Sequence, residues 1–299
     1  MEKLTPAEEA VHNRLVEKLA PLDIPKAIRV LLEIKEVMDQ AGISFFLRQG
    51  TCLGAIRDKA FIPWDDDIDI GSVLGLHGLT EEKIEPVVRT LRERGFITTL
   101  GRTDDFIFVP IVKPPVMVDW ECYRIMNDAV FMYPASRIPV RFFVELKKVD
   151  FIGSEFYVPN PPEEYLEVKY GPEWHVPKPP GDYEKDIINL ISEGSSYGRT
   201  RRLKQAITRR LLPWRAATVM VLDERDQPVT DALISVVGLG TFRANKQGIV
   251  KLHVPCDFWY ALIIKFNGHE RTLFVEKVKP AQKYIYRPGE EHLQTSSDL

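Results

Sequence analysis

The chain has 299 residues, 44% of them apolar and 28% charged, and its 40 Lys and Arg against 43 Asp and Glu give a formal net charge of −3. That length and apolar content can bury a sizeable core and suggest two domains. The slightly acidic balance carries no general signal for nucleic acid, and the scattered Cys52, Cys122 and Cys256, with no CxxC or HExxH pair, offer neither a disulfide framework nor a zinc site and fit a reducing cytoplasm.

In chain order, a first helix is expected to open at Thr5, with Pro6 at its first position and Glu8 completing a capping box. The acidic N-terminal stretch lacks an apolar signal region, and no run reaches the ~18 apolar residues of a membrane span. A second helix is expected from Pro25 to Ala41, stopping at Gly42, then a strand from Ile43 to Leu47. A third helix runs from Thr80 to Arg94 and ends at Gly95, and short strands follow around Phe96, Phe106 to Val112 and Val116 to Tyr123. The proline- and aromatic-rich stretch from Pro134 to Pro180 reads as irregular segments wrapped around the sheet. Between Arg199 and Arg215 lie basic residues and no acid, with Leu203, Ile207 and Leu211 at helical spacing. This segment is either a basic amphipathic helix on an anionic membrane or an interdomain helix with solvated charges. From Ala216 short alternating strands separated by Asp226-Gln227-Pro228, Lys246-Gln247-Gly248 and Asn267-Gly268 read as a small β-sandwich, and the polar tail beyond Tyr286 reads as disordered.

The segment from Gly50 to Ile70, GTCLGAIRDKAFIPWDDDIDI, carries the chemistry. On a strand, Asp67 and Asp69 project to one face and Ile68 and Ile70 to the other, so one face anchors in the core while the other holds carboxylates that repel unless a cation neutralises them. A solvated acidic loop has no use for those isoleucines. An EF-hand fails because Ile70 and Leu76 stand where its Gly and Glu belong. Asp65 shares the parity of the pair and is a weaker metal ligand, whereas Asp66 is expected to point away. Gly50 lets the backbone approach a phosphate. Thr51 offers an N–H and a hydroxyl at a helix start, and Arg57 is either a phosphate-binding fork or a surface arginine. Trp64 either stacks on a base or packs. Gly71, Gly75 and Gly78 read as a flexible connection beside the site.

The Gly50-Thr51 turn followed by Asp67-x-Asp69 resembles the nucleotidyltransferase-fold signature. The longer run GT.LGAIR....IPWDDDIDI is similar to the LicD family, phosphocholine transferases of bacterial surface glycans with fukutin and fukutin-related protein among their relatives. Tyr170-Gly171-Pro172-Glu173-Trp174 with Pro177 resembles the segment that closes such domains, so the matches span residues 30 to 180. The resemblance implies a third acid on a neighbouring strand, matched by Asp119 in preference to Glu121, which has the same parity. It also implies transfer of a phospho-alcohol such as phosphocholine or ribitol phosphate from a CDP-linked donor to a hydroxyl of a glycan or lipid-linked glycan, with release of CMP. Asp67 and Asp69 would hold Mg²⁺, with Mn²⁺ as the alternative, and Asp119 would complete the site and accept the hydroxyl proton.

The stretch V.D....PV..A.I.V is similar to a carboxypeptidase regulatory-like domain of prealbumin type. The expectation is therefore an α+β chain: a nucleotidyltransferase-like mixed sheet with flanking helices over residues 1–195, a basic linker over 196–215, an all-β sandwich over 216–287 and a disordered tail over 288–299. The expected location is the cytoplasm, peripheral at the inner membrane face if the linker meets lipid. The alternatives are a nucleotidyltransferase that leaves a nucleoside monophosphate on its acceptor, and a non-catalytic binding protein that works through the sandwich.

Overall fold

Asp23 ends an extended segment and accepts a hydrogen bond from the Lys26 amide at 3.2 Å, with Pro25 in the first turn, and so starts α1 (Ile24–Gln40) in the way short polar caps and early prolines favour. Ala27, Leu31, Ile34 and Met38 form its buried face, while Leu32 is exposed. This computed structural model describes residues 20–179, 182–191, 207 and 210–296; the helix expected at Thr5 lies outside them. The described residues form two compact units, 20–131 with 137–179, and 132–136 with those beyond 181.

In the first unit, α1 is followed by β1 (Phe46–Leu47), α2 (Gln49–Arg57), β2 (Ile68–Val73) and α3 (Glu81–Glu93). Next come β3 (Ile97–Thr98), β4 (Gly101–Arg102), β5 (Phe106–Lys113) and β6 (Val116–Tyr123). The hairpin strands β7 (Ala129–Met132) and β8 (Ser136–Pro139) precede α4 (Arg141–Val144), β9 (Lys147–Phe151), β10 (Ser154–Val158) and α5 (Pro162–Tyr170). One mixed sheet runs in the order β3-β5-β6-β2-β1-β10-β9, with β4 beside β5. Its centre is parallel where β2 meets β6 and antiparallel where β1 meets β2. Helices α1 and α3 pack together, and α2 lies against β1, β2 and α5. Trp120, Tyr123, Tyr165, Phe46, Phe142 and Phe143 are fully buried and make the aromatic core.

Several expectations change. The strand expected over Ile43–Leu47 is shortened to β1. Residues Pro134–Pro180 are not merely irregular: Ile152 and Gly153, with φ of 50° and 82°, turn β9 into β10, and β10 joins the main sheet parallel to β1. Two consecutive positive-φ residues are what a tight hairpin turn demands. Gly71 is not a flexible connection but an interior residue of β2. A Cβ there would stand 2.7 Å from the Phe46 ring, so only glycine lets that ring lie against the strand.

The second unit holds α6 (Asp182–Leu190) and β11 (Ala217–Val221), β12 (Leu233–Val236), β13 (Gly240–Arg243) and β14 (Ile249–Leu252). It continues with β15 (Phe258–Phe266), β16 (His269–Val278), β17 (Lys283–Tyr286) and β18 (Gln294–Thr295). These strands make two four-stranded sheets, β14-β11-β17-β18 and β13-β12-β15-β16, which bury one shared core including Val219, Leu252, Tyr286, Ile234 and Leu262. The tail is ordered as far as residue 296, against expectation. Glu276, almost fully buried, accepts from the Leu293 amide at 3.1 Å and lies 2.7 Å from His292 Nδ1, and β18 then pairs with β17. Among the described residues, no helix is long and apolar enough to cross a membrane.

Candidate metal and phosphate site

The parallel register of β2 and β6 sets Asp69 directly opposite Asp119, and Gly71 opposite Glu121. Carboxylates thus face one another across two central strands, while the alternate residues Ile68, Ile70, Val118 and Trp120 are fully buried and fix the strands from the other side. Asp67 stands two residues before Asp69, in the bend that leads into β2. Asp119, not Glu121, is the residue opposite Asp69 in the register. Glu121 is buried as well, accepting from the Tyr123 hydroxyl at 2.5 Å.

Asp65, Asp66 and Asp67 present carboxylate oxygens all within 4.8 Å of one another. The expectation that Asp66 points away is corrected: Asp65 and Asp66 lie in irregular backbone and Asp67 in a bend, so strand alternation does not apply to them. Gly50 owes its identity to this stretch. A Cβ on it would meet Asp65 Oδ2 at 2.6 Å, so the acidic turn and the start of α2 can touch only over a glycine.

Thr51 is fully buried and its hydroxyl accepts the Asp69 amide at 2.9 Å. Its side chain therefore orients the β2 acid rather than reaching for a phosphate. The first-turn amides of Gly50 and Thr51 have no intrahelical acceptor and lie at the positive end of α2, where anions are favoured. Arg57 lies at the other end of that helix, about 10 Å further along at 1.5 Å per residue. Its guanidinium is held by Asp58, Nε to Oδ1 at 2.8 Å and Nη2 to Oδ2 at 2.6 Å. Its placement does not support the phosphate-binding role expected of it. Trp64 is partly exposed, at 39%.

The cation at the acids is one that sequence reasoning missed. Arg48, immediately before α2, is 2% exposed, and its Nη2 lies 2.8 Å from Asp69 Oδ1 and 3.5 Å from Glu121 Oε1. Its Nε donates to the Ile70 carbonyl at 3.1 Å. Lys169 on α5 is also buried, its ammonium pushed down to about 7 by burial and by Arg48, against the pull of Glu121 and Asp69. The only sequence signal for Arg48 was a charge inside the apolar run FFLRQG. Lys169 lay in the segment KYGPEW, whose helix was announced by Pro162, the acidic Glu163 and Glu164, and Gly171 at its end.

Electrostatics set this cluster apart from a solvated acidic face. Burial raises Asp69 to about 6 despite the opposing pull of Arg48. Burial likewise raises Asp119 to about 7, again against Arg48 and with Asp69 adding to the rise. Asp67 is raised well above the usual carboxylate range by burial and by repulsion from Asp69 and Asp119. Repelling oxygen donors of this kind fit a hard divalent cation.

Comparison with known proteins gives the same segment a family context. Residues 42–161 match the model described as LicD/FKTN/FKRP, nucleotidyltransferase domain. The chain is 29% identical over 160 residues to human ribitol 5-phosphate transferase FKRP, covering 50% of this chain and 32% of that protein. It is 68% identical over 28 residues to the lipopolysaccharide cholinephosphotransferase LicD of Haemophilus influenzae, 9% of this chain and 11% of that one. The chain thus spans about a third of the length of FKRP. Among solved structures, ANT(2")-Ia in complex with adenylyl-2"-tobramycin is 16% identical, covers 61% of this chain and 97% of that one, and superposes with a TM-score of 0.34, too low to carry an argument. The acids Asp67, Asp69 and Asp119 therefore lie in the segment, residues 42–161, that matches the LicD/FKTN/FKRP nucleotidyltransferase-domain model and is similar to a ribitol 5-phosphate transferase and a cholinephosphotransferase.

Proposed function

We propose that the chain is a metal-dependent phosphotransferase that moves a phospho-alcohol, such as phosphocholine or ribitol phosphate, from a CDP-linked donor to a hydroxyl of a glycan or lipid-linked glycan. The observation that carries this reading is the Asp69–Asp119 register across β2 and β6, with Asp67 two residues before Asp69, inside the segment that matches the LicD/FKTN/FKRP model. The donor set is all carboxylate oxygen, and the space a Cβ of residue 50 would fill is taken by Asp65, so the residues fit Mg²⁺, or Mn²⁺ in its place. Asp67 and Asp69 would hold the cation, with Asp65 and Asp119 at its margin. When bound, the ion neutralises phosphate charge in the transition state.

The chain's own residues do the rest. The amide end of α2 at Gly50 and Thr51 receives phosphate oxygens. Asp119, with its raised affinity for protons, takes the proton of the attacking hydroxyl. The acceptor oxygen bonds to the phosphorus that bears the alcohol, the bond from that phosphorus to the bridging oxygen breaks, and CMP leaves. The two-sheet unit serves as an accessory module of carboxypeptidase regulatory-like type, and the basic segment before it meets anionic lipid on the cytoplasmic side.

The test is turnover of CDP-choline, CDP-ribitol and CDP-glycerol with Mg²⁺ and a glycan acceptor, followed by separation of the nucleotide products. Release of CMP is the expected outcome. Pyrophosphate release from CTP or ATP would mean nucleotidyl transfer instead, and no turnover or binding of any nucleotide would point to a non-catalytic binding protein.

A further inference from the structure

Six carboxylates, Asp65, Asp66, Asp67, Asp69, Asp119 and Glu121, act on one another in this cluster; Arg48 and Lys169 act on Asp69, and Arg48 acts on Asp119 as well. Of these two, Arg48 is the permanent charge, since a guanidinium does not deprotonate in a protein. Its grip on Asp69 is double. The side-chain Nη2 takes Oδ1 at 2.8 Å and the main-chain amide donates to the Asp69 carbonyl at 3.1 Å, while Thr51 accepts the Asp69 amide. Asp69 is thereby fixed at its amide, its carbonyl and one carboxylate oxygen, and a metal would meet the other oxygen. A divalent cation at that oxygen also lies within a few ångströms of a buried guanidinium, in surroundings that screen their repulsion poorly. A site built to retain its metal permanently gains nothing from such a neighbour. A nucleoside diphosphate brings negative charge and further oxygen ligands, which reverses that balance.

We propose that Arg48 is a positioning residue and internal counter-ion: it keeps the acids assembled before metal binds and weakens metal retention, so that the divalent cation binds and departs together with a phosphate-bearing nucleotide. This rests on the reading of Asp67 and Asp69 as metal ligands.

The test measures Mn²⁺ binding by electron paramagnetic resonance, with and without cytidine diphosphate, and thermal unfolding in EDTA and in saturating Mn²⁺. It compares the native chain with Arg48→Met and Arg48→Lys. The native chain should bind Mn²⁺ at least ~10-fold more tightly with cytidine diphosphate than without it. Arg48→Met should unfold at a clearly lower temperature in EDTA, bind Mn²⁺ at least ~10-fold more tightly in the absence of nucleotide, and recover much of its stability when Mn²⁺ is added, as binding to the native state alone requires. Arg48→Lys should keep the weak binding of the native chain.

An Arg48→Met deficit that is equal in EDTA and in Mn²⁺, with unchanged Mn²⁺ affinity, would reduce Arg48 to a packing residue and overturn the proposal. If Arg48→Met does not fold, folding of Arg48→Met/Asp69→Asn supports the counter-ion role, because only the charge of Asp69 then needed Arg48; failure of that double variant overturns it. Absence of Mn²⁺ binding to any form, with or without nucleotide, would sink the metal reading itself and this proposal with it.

Discussion

Asp67→Asn and Asp69→Asn each exchange a carboxylate for an amide of almost equal size in the bend and strand that face Asp119. If these acids hold the ion that neutralises transferred phosphate, each substitution should lower turnover by at least ~100-fold, the scale of a lost transition-state charge contact. In the metal-free chain Asp67→Asn should not lower stability, because it removes a repelling charge, whereas Asp69→Asn also takes a partner from the buried Arg48. Near-native turnover in both variants would end the metal assignment. The same repulsion predicts a pH dependence. Asp69 and Asp119 are raised to about 6 and about 7 in the folded chain, so the folded state binds protons more tightly than the unfolded one. Their contribution is then fully present below pH ~4, the unfolded carboxylate range, and is lost as pH rises through 6 to 7. The metal-free chain should therefore melt several degrees lower at pH 7.5 than at pH 5.5, and Asp119→Asn should shrink that difference. A melting temperature that rises over this interval would contradict the electrostatic picture. At this scale the acids were legible in the sequence because alternation with isoleucine left little else for them to do. Arg48 and Lys169 were not, because one buried cation in an apolar run looks the same whether it pairs across the fold or caps a surface.

The elements that hold these residues follow simple local rules, and the misreadings mark where tertiary contacts override them. Helix α1 was visible from its periodicity and its stop at Gly42, but a helix stripe is set by what it packs on, and α1, which buries Ala27, Leu31, Ile34 and Met38, packs on α3 and β6. Strand β1 is two residues long, too short for any pattern, and exists because β2 and β10 flank it. Gly71 is the sharpest case. Read along the chain it is one of three glycines suggesting looseness, yet in space it is the flat spot on β2 that receives Phe46. Gly71→Ala should therefore overpack that contact and destabilise the chain by about 1–3 kcal/mol, measured by urea unfolding. A neutral result would show that the ring moves aside at no cost.

At the level of the whole chain, the stretch from Arg199 to Arg215 contains seven basic residues and no acid. Its two readings differ in one physical respect: an interdomain helix buries its apolar side chains, and a lipid-binding one leaves them in solvent until a membrane arrives. Among the described residues of that stretch, Ile207, Leu211 and Trp214 are 49%, 64% and 67% exposed, and Arg210 and Arg215 beside them are exposed as well. Apolar and indole side chains set among arginines have the chemistry of an interfacial segment, where tryptophan and the arginine stems sit at the headgroup level and the charges meet anionic lipid. The chain should float with vesicles that contain phosphatidylglycerol and not with pure phosphatidylcholine vesicles, and raising the salt should release it. Leu211→Ser/Trp214→Ser should abolish flotation without changing CDP-alcohol turnover on a soluble acceptor, because those residues lie outside the acid cluster. Flotation that survives the double substitution, or that is equal on neutral vesicles, would return the segment to the role of a solvated linker and leave the acceptor to be met in solution.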